Sequence, residues 1–221
     1  MRSNKIIIVA LLLLLSACKA NVMVSQAPDV ASGMEKLLIV PFQNMAAVYG
    51  ENVNVRCPIC GNVFMTDKIA EGAGQFLTDS LFIILEKESK FKLISPEQGQ
   101  AVLSKLLAGS LKNFSDHELL IQTAHALNAD VVLAGFVYRF KERVGTRYSA
   151  DSPASVAFDI HLIRVADGRK LWSGQFNETQ QSLSENLFNL GMFIRRNARW
   201  ITAREMATSG LDDMLQSLPR P

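Results

Sequence analysis

One stretch constrains the fold of this 221-residue chain more than any other. From Ser155 to Val165, Val156, Phe158, Ile160 and Leu162 alternate with Ala157, Asp159, His161 and Ile163, and Asp167-Gly168 and Arg169 to Asn177 follow. A period of two places the two sets on opposite faces of a strand. Asp-Gly suits a two-residue type I′ turn, in which both central residues take positive φ. An antiparallel hairpin turning at Asp167 and Gly168 is therefore expected, and any fold of the chain has to contain it.

The remaining elements follow from similar patterns. Lys36 to Phe42 is a short apolar run stopped by Pro41, as in a buried strand. Thr66 to Glu88 repeats apolar residues at three-to-four spacing (Ile69, Ala73, Phe76, Leu77, Leu81, Ile84, Leu85), which predicts a long helix with one buried face. Phe91 to Ile94 reads as a brief strand. Ser95-Pro96-Glu97-Gln98 and Ser115-Asp116-His117-Glu118 carry N-terminal capping signals, so helices are expected to about Ala108 and Leu127. Ala129 to Phe140 begins as a continuous apolar run and ends in alternation, a long strand. Ser184 to Trp200 reads as a helix, and Thr202-Ala203-Arg204-Glu205 opens the last one. Strands and helices in this order predict an α+β fold, a mixed sheet with helices packed on it. A chain that is 48% hydrophobic and 20% charged can build that core.

The N-terminus points to the compartment. Arg2 and Lys5 precede an unbroken apolar run from Ile6 to Leu15. At about 1.5 Å per residue this run covers about half of a bilayer core, the length of a signal h-region rather than a membrane span. Leu15-Ser16-Ala17-Cys18 resembles the bacterial lipobox, in which the peptide is cut before a diacylated cysteine. Residues 1–17 are thus expected to be a lipoprotein signal peptide, Cys18 the lipidated residue, 18–33 a flexible linker, and 34–218 a single periplasmic domain. Lys19, in place of an aspartate, suggests the outer membrane by analogy with enterobacterial sorting.

Charge excludes other classes. Lys and Arg number 23 against 21 Asp and Glu, and the two basic residues of the signal segment account for the difference. A neutral domain has no electrostatic footprint for nucleic acid.

The segments Leu37 to Phe42, Asn128 to Phe140 and Ile160 to Phe176, in this element order, resemble a group of bacterial envelope domains. The group includes the TolB amino-terminal domain, the curli-secretion lipoprotein CsgG and the LpoB activator of penicillin-binding proteins. The resemblance spans residues 36 to 218. It rests most on Ala129-Asp130 leading into the Gly135 strand and on Asp167-Gly168 followed by Leu171-Trp172-Ser173. It implies a TolB amino-terminal-like, anticodon-binding-like α/β sandwich that binds an envelope protein or self-assembles, with no shared catalytic residues and hence no enzyme. A CsgG-like secretion assembly is the alternative within the group. The added membrane hairpins of that channel have no counterpart here, because spanning strands need about 9–11 residues each and the Val144 to Ala154 connection is short.

Arg56-Cys57-Pro58-Ile59-Cys60-Gly61 is the one motif with strong chemical character. CPxCG is a knuckle of many zinc ribbons, where proline and glycine bend the chain so that both thiolates face one metal. Zinc needs four ligands and this knuckle supplies two. Cys18 is reserved for lipid, and His117, His125 and His161 show no spacing suited to a second knuckle, so a second copy of Cys57 and Cys60 in a homodimer is one completion. An oxidising periplasm favours instead a Cys57–Cys60 disulfide, and a redox or inert thiol pair is a third alternative. Arg195, Arg196 and Arg199 beside Trp200 form a basic cluster suited to a partner or lipid headgroups, and also to a solvated helix face.

Overall fold

The computed structural model describes residues 22–26, 33–109, 114–146, 150–181 and 199–221. At its centre lie β7 (Val131–Lys141), β10 (Ser155–Arg164) and β11 (Lys170–Thr179), long strands paired antiparallel in that spatial order. On the β7 side, β2 (Lys36–Ile39) and β6 (Lys92–Ile94) join in parallel, and β3 (Gln43–Asn44) also pairs with β7. On the β11 side, β1 (Val22–Gln26) closes the row antiparallel. Among the described residues the sheet is therefore mixed and seven-stranded.

Alternation along the central strands divides the core. One face carries Leu37, Ile39, Val131, Leu133, Phe158, Ile160 and Leu162, covered by α2 (Ala73–Glu88) and the C-terminal α5 (Ala203–Leu215). The opposite face carries Leu38, Val132, Ala134 and Ile163 under α4 (Asp116–Ala126), with α3 (Pro96–Gly109) alongside: a Cβ on its Gly99 would press on Leu38 and Val40. Further along that face, Phe136, Tyr138 and Ala157 are covered by the short α1 (Met45–Tyr49) and by a small hairpin of β4 (Asn54–Arg56) and β5 (Val63–Met65). The α+β layering expected from the sequence is what the chain adopts. Both complete capping boxes, at Ser115 with Glu118 and at Thr202 with Glu205, sit where their motifs place them.

Three local expectations are corrected. Residues 18–33 are not wholly linker, because Val22–Gln26 hydrogen-bonds to β11 as an edge strand. The helix predicted from Thr66 begins only at Ala73, after Gly72 in the left-handed region (φ 72°). Before it, the Asp67, Lys68 and Ala70 backbones bond to Tyr138 and Phe140, so those residues follow the β7 edge instead of coiling. The β10–β11 turn is not a two-residue type I′ turn. Of Asp167 and Gly168 only Gly168 has positive φ (69°), and the Gly168 N–H and Arg164 O close a longer loop at 2.9 Å, steadied by Asp167 on the Arg169 amide. The Val144 to Ala154 connection holds its own small hairpin, β8 (Val144–Gly145) with β9 (Ala150–Ser152). Its strands of 2 and 3 residues are far short of a spanning strand. Among the described residues no helix is long and apolar enough to cross a membrane.

Asp130, at the entrance to β7, ties β2 in place. Its Oδ2 accepts the amides of Lys36 (2.8 Å) and Glu35 (2.9 Å). The Lys36 amide, chiefly, holds this carboxyl below its ordinary range. A depressed folded pKa means stabilisation present above the unfolded value and lost as pH falls. Asp130→Ala should therefore cost about 1 kcal/mol at neutral pH, since solvent competes at this exposed site, and the gap from wild type should close below about pH 4. Urea unfolding of both proteins across that range checks it.

Candidate functional site

The β4–β5 hairpin is too short to stand alone, and side chains hold it against the sheet. Val55 and Phe64, opposite one another in its register, are buried, and the Phe64 ring stacks on Tyr138 with centroids 4.1 Å apart. Its turn is the Cys57-Pro58-Ile59-Cys60-Gly61 segment. The Cys57 amide donates to Asn62 O (2.8 Å) and the Gly61 amide to Cys57 O (3.0 Å), a tight reversal that needs positive φ at Gly61 (77°). Inside the reversal the Ile59 and Cys60 amides point at Cys57 Sγ, 3.4 and 3.5 Å away. The Asn62 side chain donates to Gln175 Oε1 on β11 at 2.9 Å, so the turn is also pinned at its far side.

Beneath the turn run Asp159 and His161 of β10. Two residues apart, they share the sheet face that the hairpin covers, and neither is exposed. His161 Nε2 lies 3.2 Å from Cys57 Sγ and 3.1 Å from Asp159 Oδ2, while Cys60 Sγ lies 3.8 Å from the same Oδ2. The ligand atoms of all four residues fall within 4.8 Å of one another. Tyr138 completes the arrangement. The β7–β10 register skips it between Val137 and Arg139, a bulge that leaves its hydroxyl donating to the Asp159 carboxylate at 3.2 Å.

Electrostatics reflect the crowding. The hydrogen bond between the thiols lowers Cys60 to about 7 against the opposing effect of burial, while the same bond, then burial, pushes Cys57 up. Burial pulls His161 down, but hydrogen bonds to Asp159 and Cys57 outweigh it and leave the imidazole at about 9. Burial, and then the Asp159 charge, push the Tyr138 hydroxyl up, so it stays a donor.

This geometry does not fit a nucleophilic relay. In a Cys-His-Asp relay the thiol and the carboxylate address opposite ring nitrogens. Here Cys57 and Asp159 converge on the same Nε2, and Nδ1 is buried without a partner among the described residues. Nor does the motif open a helix after a strand, as the thioredoxin arrangement requires; it turns a hairpin.

The structure thus corrects the expectation that His161 is unrelated to the cysteines: it lies 104 residues away in sequence and in contact in space. Asp159, which the sequence reading did not single out, joins it, and the Asp-x-His alternation in a strand was the available signal. Both thiols are free. The other histidines lie elsewhere, with His117 Nε2 donating to Gly168 O at the β10–β11 loop. Cys18, Arg195 and Arg196 fall outside the described residues. Arg199 pairs with Glu205 at 2.8 Å and its carbonyl accepts from Gln180, next to a half-buried Trp200. Arg204 sits over the Phe76 ring, 4.7 Å from its centroid.

No family model matches the chain, and no curated protein does. Among solved structures it is similar to the PelC dodecamer from Paraburkholderia phytofirmans, at 17% identity and a TM-score of 0.45, covering 90% of this chain and 99% of that one. It is also similar to the LpoB C-terminal domain from Salmonella enterica (19% identity, TM-score 0.43, 71% and 88% covered). A third is lipoprotein GNA1162 from Neisseria meningitidis (13% identity, TM-score 0.41, 74% and 96% covered). At such scores the likenesses say nothing of what this chain does.

Proposed function

We propose that the chain is a lipid-anchored envelope protein, attached through Cys18 to the outer membrane, whose periplasmic domain binds or assembles with an envelope protein and catalyses no reaction. One observation carries the reading. The strand β1 begins only four positions after the lipobox cysteine and forms the end of the sheet. The four Cα-to-Cα steps from Cys18 to Val22, at about 3.5 Å each, hold the start of that strand within about 14 Å of the lipidated residue. Acylation of Cys18 would therefore fix the edge of β1 close to the bilayer surface. Met23 and Val24 on this strand are 66% and 41% exposed. An edge strand with apolar side chains is a template to which an extended segment of a partner adds by backbone pairing. The cysteine and histidine cluster offers no Cys-His-Asp relay of the kind a hydrolase uses.

Two linked measurements test this. Exchanging residues 1–18 for a secretion signal that carries no lipobox should move the protein from the membrane pellet to the soluble periplasmic fraction almost completely, because the leader is still removed while three acyl chains are lost. Retention of that form in the membrane would contradict the anchor. In membranes, a photo-crosslinking residue at Met23 should capture one discrete partner band, and the same residue at Ile83, exposed on α2, should not. Equal labelling from both positions would contradict recruitment by the β1 edge.

A further inference from the structure

We infer that Cys57, Cys60, Asp159 and His161 form a zinc site within a single chain, and that the metal staples the β4–β5 hairpin to the central sheet. The inference is independent of the envelope reading.

The donor atoms carry the argument. Tetrahedral zinc holds sulfur at about 2.3 Å and nitrogen or oxygen at about 2.0–2.2 Å, which puts neighbouring ligand atoms about 3.3–3.8 Å apart. In the structure these separations are 3.2 Å for Cys57 Sγ to Nε2, 3.1 Å for Nε2 to Oδ2 and 3.8 Å for Cys60 Sγ to Oδ2, so the imidazole has to give by only a few tenths of an ångström to admit the ion. The cysteine turn adds a second sign. Backbone amides aimed at Cys57 Sγ stabilise a sulfur that carries negative charge, as a coordinated thiolate does. Two soft thiolates, a borderline imidazole nitrogen and one hard carboxylate oxygen are a set that suits zinc and, through the two sulfurs, suits magnesium or calcium poorly.

The surroundings are built for a held ligand. Tyr138 fixes the orientation of the Asp159 carboxylate, and the Phe64 stack fixes Tyr138. A cavity of about 250 Å³ beside the cysteine turn, lined by Cys60, Asp159 and His161 together with residues of β1 and β11, gives the ion a way in. Lys170 lines it and offsets the single negative charge that two thiolates and one carboxylate leave on a divalent ion. On binding, the thiols and the protonated His161 ring give their protons to solvent, Nδ1 keeps its hydrogen, and Nε2 donates its lone pair. No redox change occurs, and with four protein ligands no position remains for substrate. The role is structural: ligands more than 100 positions apart close a long loop, so metal affinity becomes folding stability.

The test uses the full-length protein purified in detergent under reducing conditions, stripped with chelator, then titrated with Zn²⁺ and Co²⁺. One metal per chain is expected, with intense tetrahedral cobalt bands and thiolate charge transfer. Tyr138→Phe should fold and bind about 10-fold more weakly, because its only lost group orients a ligand. Asp159→Asn and His161→Gln should weaken binding by about 100-fold or more. Should the ligand variants fail to fold, the wild-type stoichiometry and the Tyr138→Phe titration still decide. Half a metal per chain, a Cys57–Cys60 disulfide in protein isolated directly from envelopes, no metal uptake, or unchanged affinity in both Tyr138→Phe and Asp159→Asn would each overturn the assignment.

Discussion

Trp172→Ala is expected to cost about 3–5 kcal/mol, the range for losing a large buried aromatic. Trp172 has no exposed surface and sits on the β11 face that packs against α5. Gly174, two residues along the same face, has no side chain because Met214 and the Trp172 ring occupy the space where its Cβ would lie. The indole N–H donates to Ser217 Oγ at 3.2 Å, just past the end of α5, so the substitution also removes a tie between the C-terminal helix and the strand. A fall in melting temperature of about 10 °C should accompany the loss in a domain of this size. A change under about 1 kcal/mol would show that α5 is not seated as described.

The second large effect belongs to Asp159→Ala. Asp159 accepts from Tyr138 and touches both His161 and Cys60, entirely out of water. Removing it leaves the Tyr138 hydroxyl and the His161 ring without their shared partner. Breaking one member of such a buried set costs about 3–5 kcal/mol. The diagnostic part is the dependence on metal. Wild-type stability should rise with free zinc by about 1.4 kcal/mol per decade above the dissociation constant, whereas the variant should show no such rise over the same range. Denaturant unfolding in zinc buffers separates the two components. A zinc response equal in both proteins would remove Asp159 from the ligand set.

These two residues also show what the sequence could and could not reveal. The β10–β11 pair was legible because both strands are long, and a run of ten residues gives period two room to repeat. The capping boxes at Ser115 and Thr202 were legible because their chemistry is confined to four consecutive positions. By contrast, β1 has only five residues, four of them exposed. An edge strand wetted on both faces has no hydrophobic alternation to display. The strands β4 and β5 have three residues each and exist because Phe64 finds Tyr138, a tertiary contact no local pattern encodes. In the turn, the Asp167 side chain bonding the Arg169 amide outweighed the intrinsic preference of an Asp-Gly pair.

The candidate site was half legible for a related reason. Cys57 and Cys60 announce themselves by spacing, while Asp159 and His161 are disguised as the inward row of an ordinary strand. Their role emerges only when β10 lies under the hairpin. The same placement answers the stoichiometric question the two cysteines raised, because two further donors are in the chain and no second copy is needed to complete four.

The most direct measurement is X-ray absorption at the zinc edge on the reduced, zinc-loaded, full-length protein. Two sulfur neighbours at about 2.3 Å and two nitrogen or oxygen neighbours at about 2.0 Å are expected, with the outer-shell scattering of one imidazole. Four sulfur neighbours, the signature of two knuckles sharing a metal between chains, or a first shell of oxygen and nitrogen alone, would contradict the account.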